Sequence, residues 1–235
     1  MNRPDSVRER VARVRDRIER AAVRSGRTAA QIRLIAVGKT QGPERIAEAV
    51  EAGLTEFGEN YVREAEAKIR AHPGLTWHMI GKLQRNKAKK AVELFSWIQT
   101  VDSPRLLAEL SRRCAEAGKV MPVLFEVNLG REPGKSGIVP EELPALVGEA
   151  AAHRSLAVSG LMAIPPYAAD PEESRPWFAR LRELLEACRR QGGSGSEMTE
   201  LSMGMSHDFE AAIEEGATMV RIGTAIFGER PGRNP

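Results

Sequence analysis

The chain has 235 residues, is 42% hydrophobic and 29% charged, and carries a formal net charge of only +3, which fits a globular protein of one large or two small domains and argues against a dedicated nucleic-acid binder. Two cysteines without CxxC spacing, Cys114 and Cys188, and four scattered histidines, His72, His78, His153 and His207, suggest neither a disulfide framework nor a metal site. The N-terminus is charged rather than apolar and no apolar run approaches membrane length, so no secretory signal or membrane span is expected and the cytoplasm is the expected location.

The first element is SVRERVARVRDRIERAAVRSG, whose valines, isoleucine and alanines form one stripe and whose charges form the other face, a long amphipathic helix. Strands follow near Leu34–Lys39, Glu56–Gly58, Thr76–Gly81, Ile98–Asp102, Pro122–Leu129, Ala157–Ile164, Glu200–Met203 and Met219–Phe227. Several are continuous apolar runs, such as PVLFEVNL and MVRIGTAIF, the pattern of strands covered on both faces of a parallel sheet. Helical segments alternate with them. PERIAEAVEAG starts on Pro43 and stops at Gly53, SPRLLAELSRRCAEAG has Ser103 as N-cap and ends at Gly118, and SHDFEAAIEEG repeats the form from Ser206 to Gly216. RPWFARLRELLEACRR is a further helix, and RQGGSGSEMTE is a loop rather than a domain boundary. Eight strand–helix units after one extra helix predict a single (β/α)8 TIM barrel over residues 1–235, with an open doubly wound sheet as the alternative.

In such a barrel, function sits at the C-terminal ends of the strands. That filter brings four distant stretches to one rim. Lys39 ends strand one, Asn60 follows strand two, SMGMS follows strand seven, and RIGT begins in strand eight. A lysine ending an apolar strand is a solvated strand end or an amine held for covalent chemistry. LSMGMSHDFEAAI supplies a glycine, two hydroxyls and a helix start, and RIGTAIFG supplies Gly223 and Thr224. Each alone is an ordinary turn, but together, after strands seven and eight, they favour a phosphate site. A lysine opposite a phosphate site suggests pyridoxal 5′-phosphate (PLP), held as a Schiff base on Lys39. Arg221, inside strand eight, is then an ion-pair partner across the rim or a donor to the pyridine nitrogen. It would leave that nitrogen unprotonated, which makes the ring a poorer electron sink.

LIAVGKT, FGENYVREAEAK, WHMIGKLQRNK, VNLGREPGKSGI, GLMAIPP and LSMGMSHDFEAAIEEGATMVRIGTAIFGER together resemble the pyridoxal phosphate homeostasis protein family, PLP-binding barrels related to the alanine racemase N-terminal domain. The resemblance covers nearly the whole chain, in order. It implies PLP on Lys39, Asn60 near the ring, Arg221 at the pyridine nitrogen, and phosphate contacts from Ser202, Ser206, Gly223 and Thr224. Met203, in the same motif, counts among the expected cofactor-binding residues. It also implies a role in vitamin B6 and amino-acid balance with no established reaction, hence no catalytic residue; the cysteine and histidine spacing already gave no metal site. PLP-dependent apo-enzymes are the partner class a PLP carrier could serve, and a monomer is expected. Three positions depart from the family pattern. Gly38 replaces a serine, Lys82 replaces a histidine, and TQGPE replaces TKP after Lys39.

Other readings compete. A small PLP-dependent racemase of low activity needs two proton-transfer groups, and with about ten residues after the expected strand eight the extra domain that supplies the second in related racemases is not expected. Of the two tyrosines, Tyr61 and Tyr167, only Tyr167 is a candidate for the rim. KLQRNKAKK lacks aromatic interleaving and reads as a solvated helix face rather than a nucleic-acid site, although a second anion site there stays open. A Schiff-base aldolase barrel fits the strand-eight arginine less well. In GREPGKSGI, Lys135 and Ser136 could reach the rim, with a turn built on Gly134 and Gly137 slightly favoured.

Overall fold

The short β-branched runs become eight parallel strands: β1 Arg33–Val37, β2 Glu56–Glu59, β3 Thr76–Met79, β4 Trp97–Val101, β5 Met121–Glu126, β6 Leu156–Met162, β7 Glu200–Ser202 and β8 Met219–Ile222. The computed structural model describes residues 5–229. The strands pair in sequence order, and β1 pairs with β8 in a register that sets Ile35 beside Arg221. This closes the barrel and overturns the open-sheet alternative. The helices are α1 Val7–Arg24, α2 Pro43–Glu51, α3 Val62–Ala71, α4 Ala88–Leu94, α5 Pro104–Glu116, α6 Leu143–Ala150, α7 Arg175–Gln191, α8 Phe209–Glu214 and α9 Thr224–Phe227. Among the described residues, no helix is long and apolar enough to cross a membrane.

Sequence and structure differ mainly at strand ends. The run from Met219 to Phe227 breaks at Ile222, because Ser206 Oγ accepts the N–H groups of Gly223 and Ala225, both at 3.2 Å, and turns the chain into α9. Lys39 lies two residues past β1 rather than in it. The helix expected from Ser206 starts at Phe209, because Asp208 Oδ1 accepts the Met205 N–H at 2.7 Å and shapes a turn before it.

Two apolar sets hold the barrel. The larger one joins the outer faces of the strands to the helices, with Phe57, Trp77, Phe125, Phe178 and Phe209 fully buried. The smaller one, Ile35, Leu124, Met162 and Met219, comes from strands alone and fills the barrel interior. Polar side chains share that interior: His78, Gln99, Ser202 and Arg221 are all buried. α1 opens with a capping box, in which Ser6 Oγ accepts from the Glu9 N–H while Glu9 Oε2 accepts from the Ser6 N–H. It buries Val7, Val11, Val14, Ile18, Ala21 and Ala22. Arg17 and Arg24 each meet a carboxylate of α8, Glu210 and Glu214, at 2.6 Å.

Candidate functional site

A cavity of about 380 Å³ opens at the C-terminal end of the strands and is lined by Lys39, Asn60, Ser206, Arg221, Gly223 and Thr224. These residues come from the segments just after β1 and β2, the loop after β7, and β8 with the turn after it. Six of the eight expected contacts therefore share one space. Ser202 and Met203 do not. Both have no exposed surface, the Ser202 hydroxyl donates to Gln99 Oε1 at 2.6 Å, and the Met203 N–H donates to the Met219 carbonyl at 3.1 Å. The one hydroxyl hydrogen of Ser202 is therefore directed inside the barrel rather than into the cavity.

The segment carrying Lys39 is pinned on both sides. Lys68 of α3 is buried and donates to the Gly38 carbonyl at 2.7 Å, to Glu59 Oε1 at 2.8 Å and to Glu64 Oε1 at 2.7 Å. Glu64 Oε1 also accepts the Thr40 N–H at 2.5 Å. Thr40 has φ +65°, a left-handed conformation that a β-branched residue rarely takes unless its surroundings impose it. Glu59 is fully buried and its Oε2 has no partner among the described residues. Burial pushes its carboxyl up to about 7, against the opposing pull of Lys68. Gly38 fits this arrangement, because a Cβ there would stand 2.8 Å from Glu59 Oε1. Sequence reasoning gave Glu59, Glu64 and Lys68 no role. The available signal was the Glu64–Lys68 pair at i, i+4, beginning five residues after Glu59.

Arg221 is 3% exposed, and its two terminal nitrogens donate to Ser202 Oγ at 2.7 Å and to the Ala163 carbonyl at 2.9 Å. Burial lowers its pKa to about 10 although Glu126 and Asp208 pull the other way, so the guanidinium is still a cation at neutral pH. Asn60 has a buried amide oxygen with no hydrogen-bond partner among the described residues. Gly81, after β3, lets the Asn60 backbone approach so closely that a Cβ would meet its carbonyl oxygen at 2.4 Å.

The remaining candidates divide. Lys135 lines the same cavity and pairs with Glu132, while Ser136 donates to the buried Glu126 at 2.8 Å. Gly134 and Gly137 do make the turn, at φ +84° and +102°. Tyr167 is 86% exposed at the rim and stacks on His207. Lys82 and Tyr61 belong instead to a neighbouring groove, which also takes in Lys87, Lys89 and Lys90 and shares Asn60 with the cavity. Cys114 and Cys188 are free and buried, and burial pushes the Cys114 thiol up to about 11, far from thiolate reactivity.

A closed barrel with a lysine after β1 and a buried arginine on β8 belongs to the class described as alanine racemase, N-terminal domain, whose family model matches residues 10–231. The pyridoxal phosphate homeostasis protein of Aquifex aeolicus is 44% identical over 224 residues, spanning 94% of this chain and 97% of its own. That of Escherichia coli K12 is 42% identical over 231 residues, spanning 96% and 97%. PipY of Synechococcus elongatus PCC7942, solved with PLP bound, superposes with a TM-score of 0.83 at 38% identity over 94% of this chain and all of that one. The chain belongs to the pyridoxal phosphate homeostasis protein family. An alanine racemase of Clostridium difficile shares the fold at a TM-score of 0.75 with 15% identity, over 97% of this chain and 58% of that one.

Proposed function

We propose that the protein binds PLP in the Lys39–Arg221 cavity and serves PLP and amino-acid homeostasis as a carrier or regulator rather than as an enzyme. The observation that carries this reading is the convergence of Lys39, Arg221 and the Ser206–Gly223–Thr224 turn on one cavity. The residues fit the cofactor. The cavity has the size of a small-molecule site, it has an amine on one wall and hydroxyls and backbone on another, and the amide oxygen of Asn60, without a partner among the described residues, marks polar surface left for a ligand to satisfy. Relatives of 38–44% identity along nearly the whole chain are named as homeostasis proteins, and PipY takes PLP.

PLP supplies an aldehyde that condenses with amines and a ring that draws electrons. Lys39 offers the amine, held in place by the Lys68 and Glu64 contacts to its neighbours. Arg221 presents a donor that keeps its proton at the ring nitrogen. Ser206, already accepting two backbone N–H groups, has its hydroxyl hydrogen left to donate toward a phosphate, as does Thr224. Thr224→Val removes one charge-assisted hydrogen bond, about 1.5–3 kcal/mol, and weakens PLP by about ten- to a hundredfold in an equilibrium titration. Wild-type affinity in both Thr224→Val and Ser206→Ala would remove the phosphate from this turn. In this reading the protein is a cytoplasmic monomer, and PLP-dependent apo-enzymes are the candidate recipients.

Turnover on free amino acids is expected to be absent or very slow. Tyr167, the tyrosine at the rim, is 86% exposed and engaged with His207, which is no setting for a fixed proton donor above the cofactor. Proton NMR in deuterated water with alanine and other amino acids checks this. A Lys39-dependent loss of the α-proton at about 1 s⁻¹ or faster makes the protein an enzyme and overturns the carrier reading.

A further inference from the structure

Four hydrogen bonds run through the barrel interior from Arg221 to the far end of the strands. Arg221 Nη1 donates to Ser202 Oγ at 2.7 Å, Ser202 Oγ donates to Gln99 Oε1 at 2.6 Å, Gln99 Nε2 meets His78 Nδ1 at 3.0 Å, and His78 Nε2 meets Glu56 Oε2 at 2.9 Å. The chain crosses from β8 and β7 to β4, β3 and β2. Arg221, Ser202, Gln99 and His78 are all buried, whereas the Glu56 side chain is 22% exposed.

The two ends dictate the direction of every link. Guanidinium only donates, so Ser202 Oγ accepts from it and sends its single hydrogen to the Gln99 carbonyl oxygen. That orients the amide, whose nitrogen then donates to His78 Nδ1. The imidazole therefore carries its proton on Nε2 and donates to Glu56, which as a carboxylate only accepts. The reversed amide would need a hydrogen on Nδ1, and would set a bare Nε2 against a carboxylate unless the ring were charged. Burial opposes that charge and lowers the His78 pKa. One arrangement is left, with a cation at one end, an anion at the other, and every donor pointing the same way.

A barrel interior is ordinarily filled by branched apolar side chains, so a polar chain there has to be satisfied throughout. We propose that Gln99 and His78 are positioning residues for Arg221. They fix the guanidinium from beneath through Ser202, so that its three remaining N–H groups are held toward the cavity. Neither residue touches the cavity. The inference deepens the PLP reading and rests on it for its ligand, but the hydrogen-bond chain itself is testable without PLP.

The first measurement is ¹⁵N NMR of the His78 ring in the PLP-free protein. A neutral ring with hydrogen on Nε2 and a bare Nδ1 is expected, and hydrogen on Nδ1 would overturn the chain. The second compares bound PLP in Gln99→Met, which breaks the chain, with His78→Asn, whose amide oxygen can replace Nδ1 as acceptor. Gln99→Met is expected to shift the absorption maximum of bound PLP and to weaken binding about tenfold, the loss of one hydrogen bond's alignment, while His78→Asn stays close to wild type. If Gln99→Met does not fold by circular dichroism, Ser202→Ala breaks the same chain and replaces it. Wild-type spectrum and affinity in a folded chain-breaking variant would overturn the positioning role. Failure of the wild-type protein to bind PLP would instead sink the cofactor reading, leaving the NMR result to decide the chain.

Discussion

Lys39→Ala abolishes borohydride-dependent attachment of PLP and the near-visible absorption band, with the barrel intact. No other described lysine combines a place directly after β1 with the wall of this cavity. The fold survives because Lys39 lies outside β1, and the turn that carries it is held by Lys68 and Glu64 through the backbone of Gly38 and Thr40. Lys135 is the serious competitor, since it lines the same cavity from the loop after β5. Peptide mass mapping after borohydride decides between them. A label mainly on Lys135, or an unchanged band in the alanine variant, would refute the assignment to Lys39.

At pH 8, above the Glu59 carboxyl's value of about 7, Lys68→Met costs the protein about 3–5 kcal/mol, the usual penalty for stranding one member of a buried ion pair. Lys68 makes three hydrogen bonds at 2.7–2.8 Å, and its loss leaves Glu59, fully buried, without its cation. At about 2–4 °C per kcal/mol for a chain of this size, the midpoint of thermal unfolding falls by roughly 6–20 °C. Lys68→Met with Glu59→Gln recovers much of that loss, because no buried charge is left unpaired. Equal destabilisation of the single and double variants would show that the charge on Glu59 is not what Lys68 offsets. The pH dependence has a definite sign. The folded Glu59 carboxyl sits near 7 against an ordinary 4.5, so its contribution is full below about 4.5 and disappears as pH rises through about 7. Urea unfolding from pH 4.5 to 8 follows that fall in the wild type, and Glu59→Gln removes it.

The barrel was legible because each β-branched run is bounded by glycine, proline or a capping residue, and because parallel strands buried on both faces read as unbroken apolar stretches. Where two elements share one such stretch, the boundary vanished. Ala225, Ile226 and Phe227 look like more of β8, and only the tertiary contact from Ser206 to Gly223 and Ala225 ends the strand. The cavity residues were found because they fall at strand ends, where a rule of position applies. The groups behind them obey no such rule. His78, Gln99 and Ser202 stand on strands far apart in sequence and meet only in the closed barrel, so His78 looked like one of four scattered histidines. Ser202 shows the same limit, for its motif points to the rim while its hydroxyl turns inward to Gln99.

α1 precedes every strand in the chain and is among the last helices able to dock fully. Its apolar stripe packs along the closure, with Arg17 and Arg24 on Glu210 and Glu214 of α8 and Arg15 on the Gly53 carbonyl at 2.7 Å. Its docking surface is therefore complete only once β8 has emerged from the ribosome and joined β1. At about 5–20 residues per second of synthesis, that delay is on the order of ten seconds or more. Throughout it an α1 helix on the nascent chain would lack the part of its native cover that α8 and α9 supply. Once docked, the same helix spans the β1–β8 seam, so chain closure and helix capture become one cooperative event rather than two.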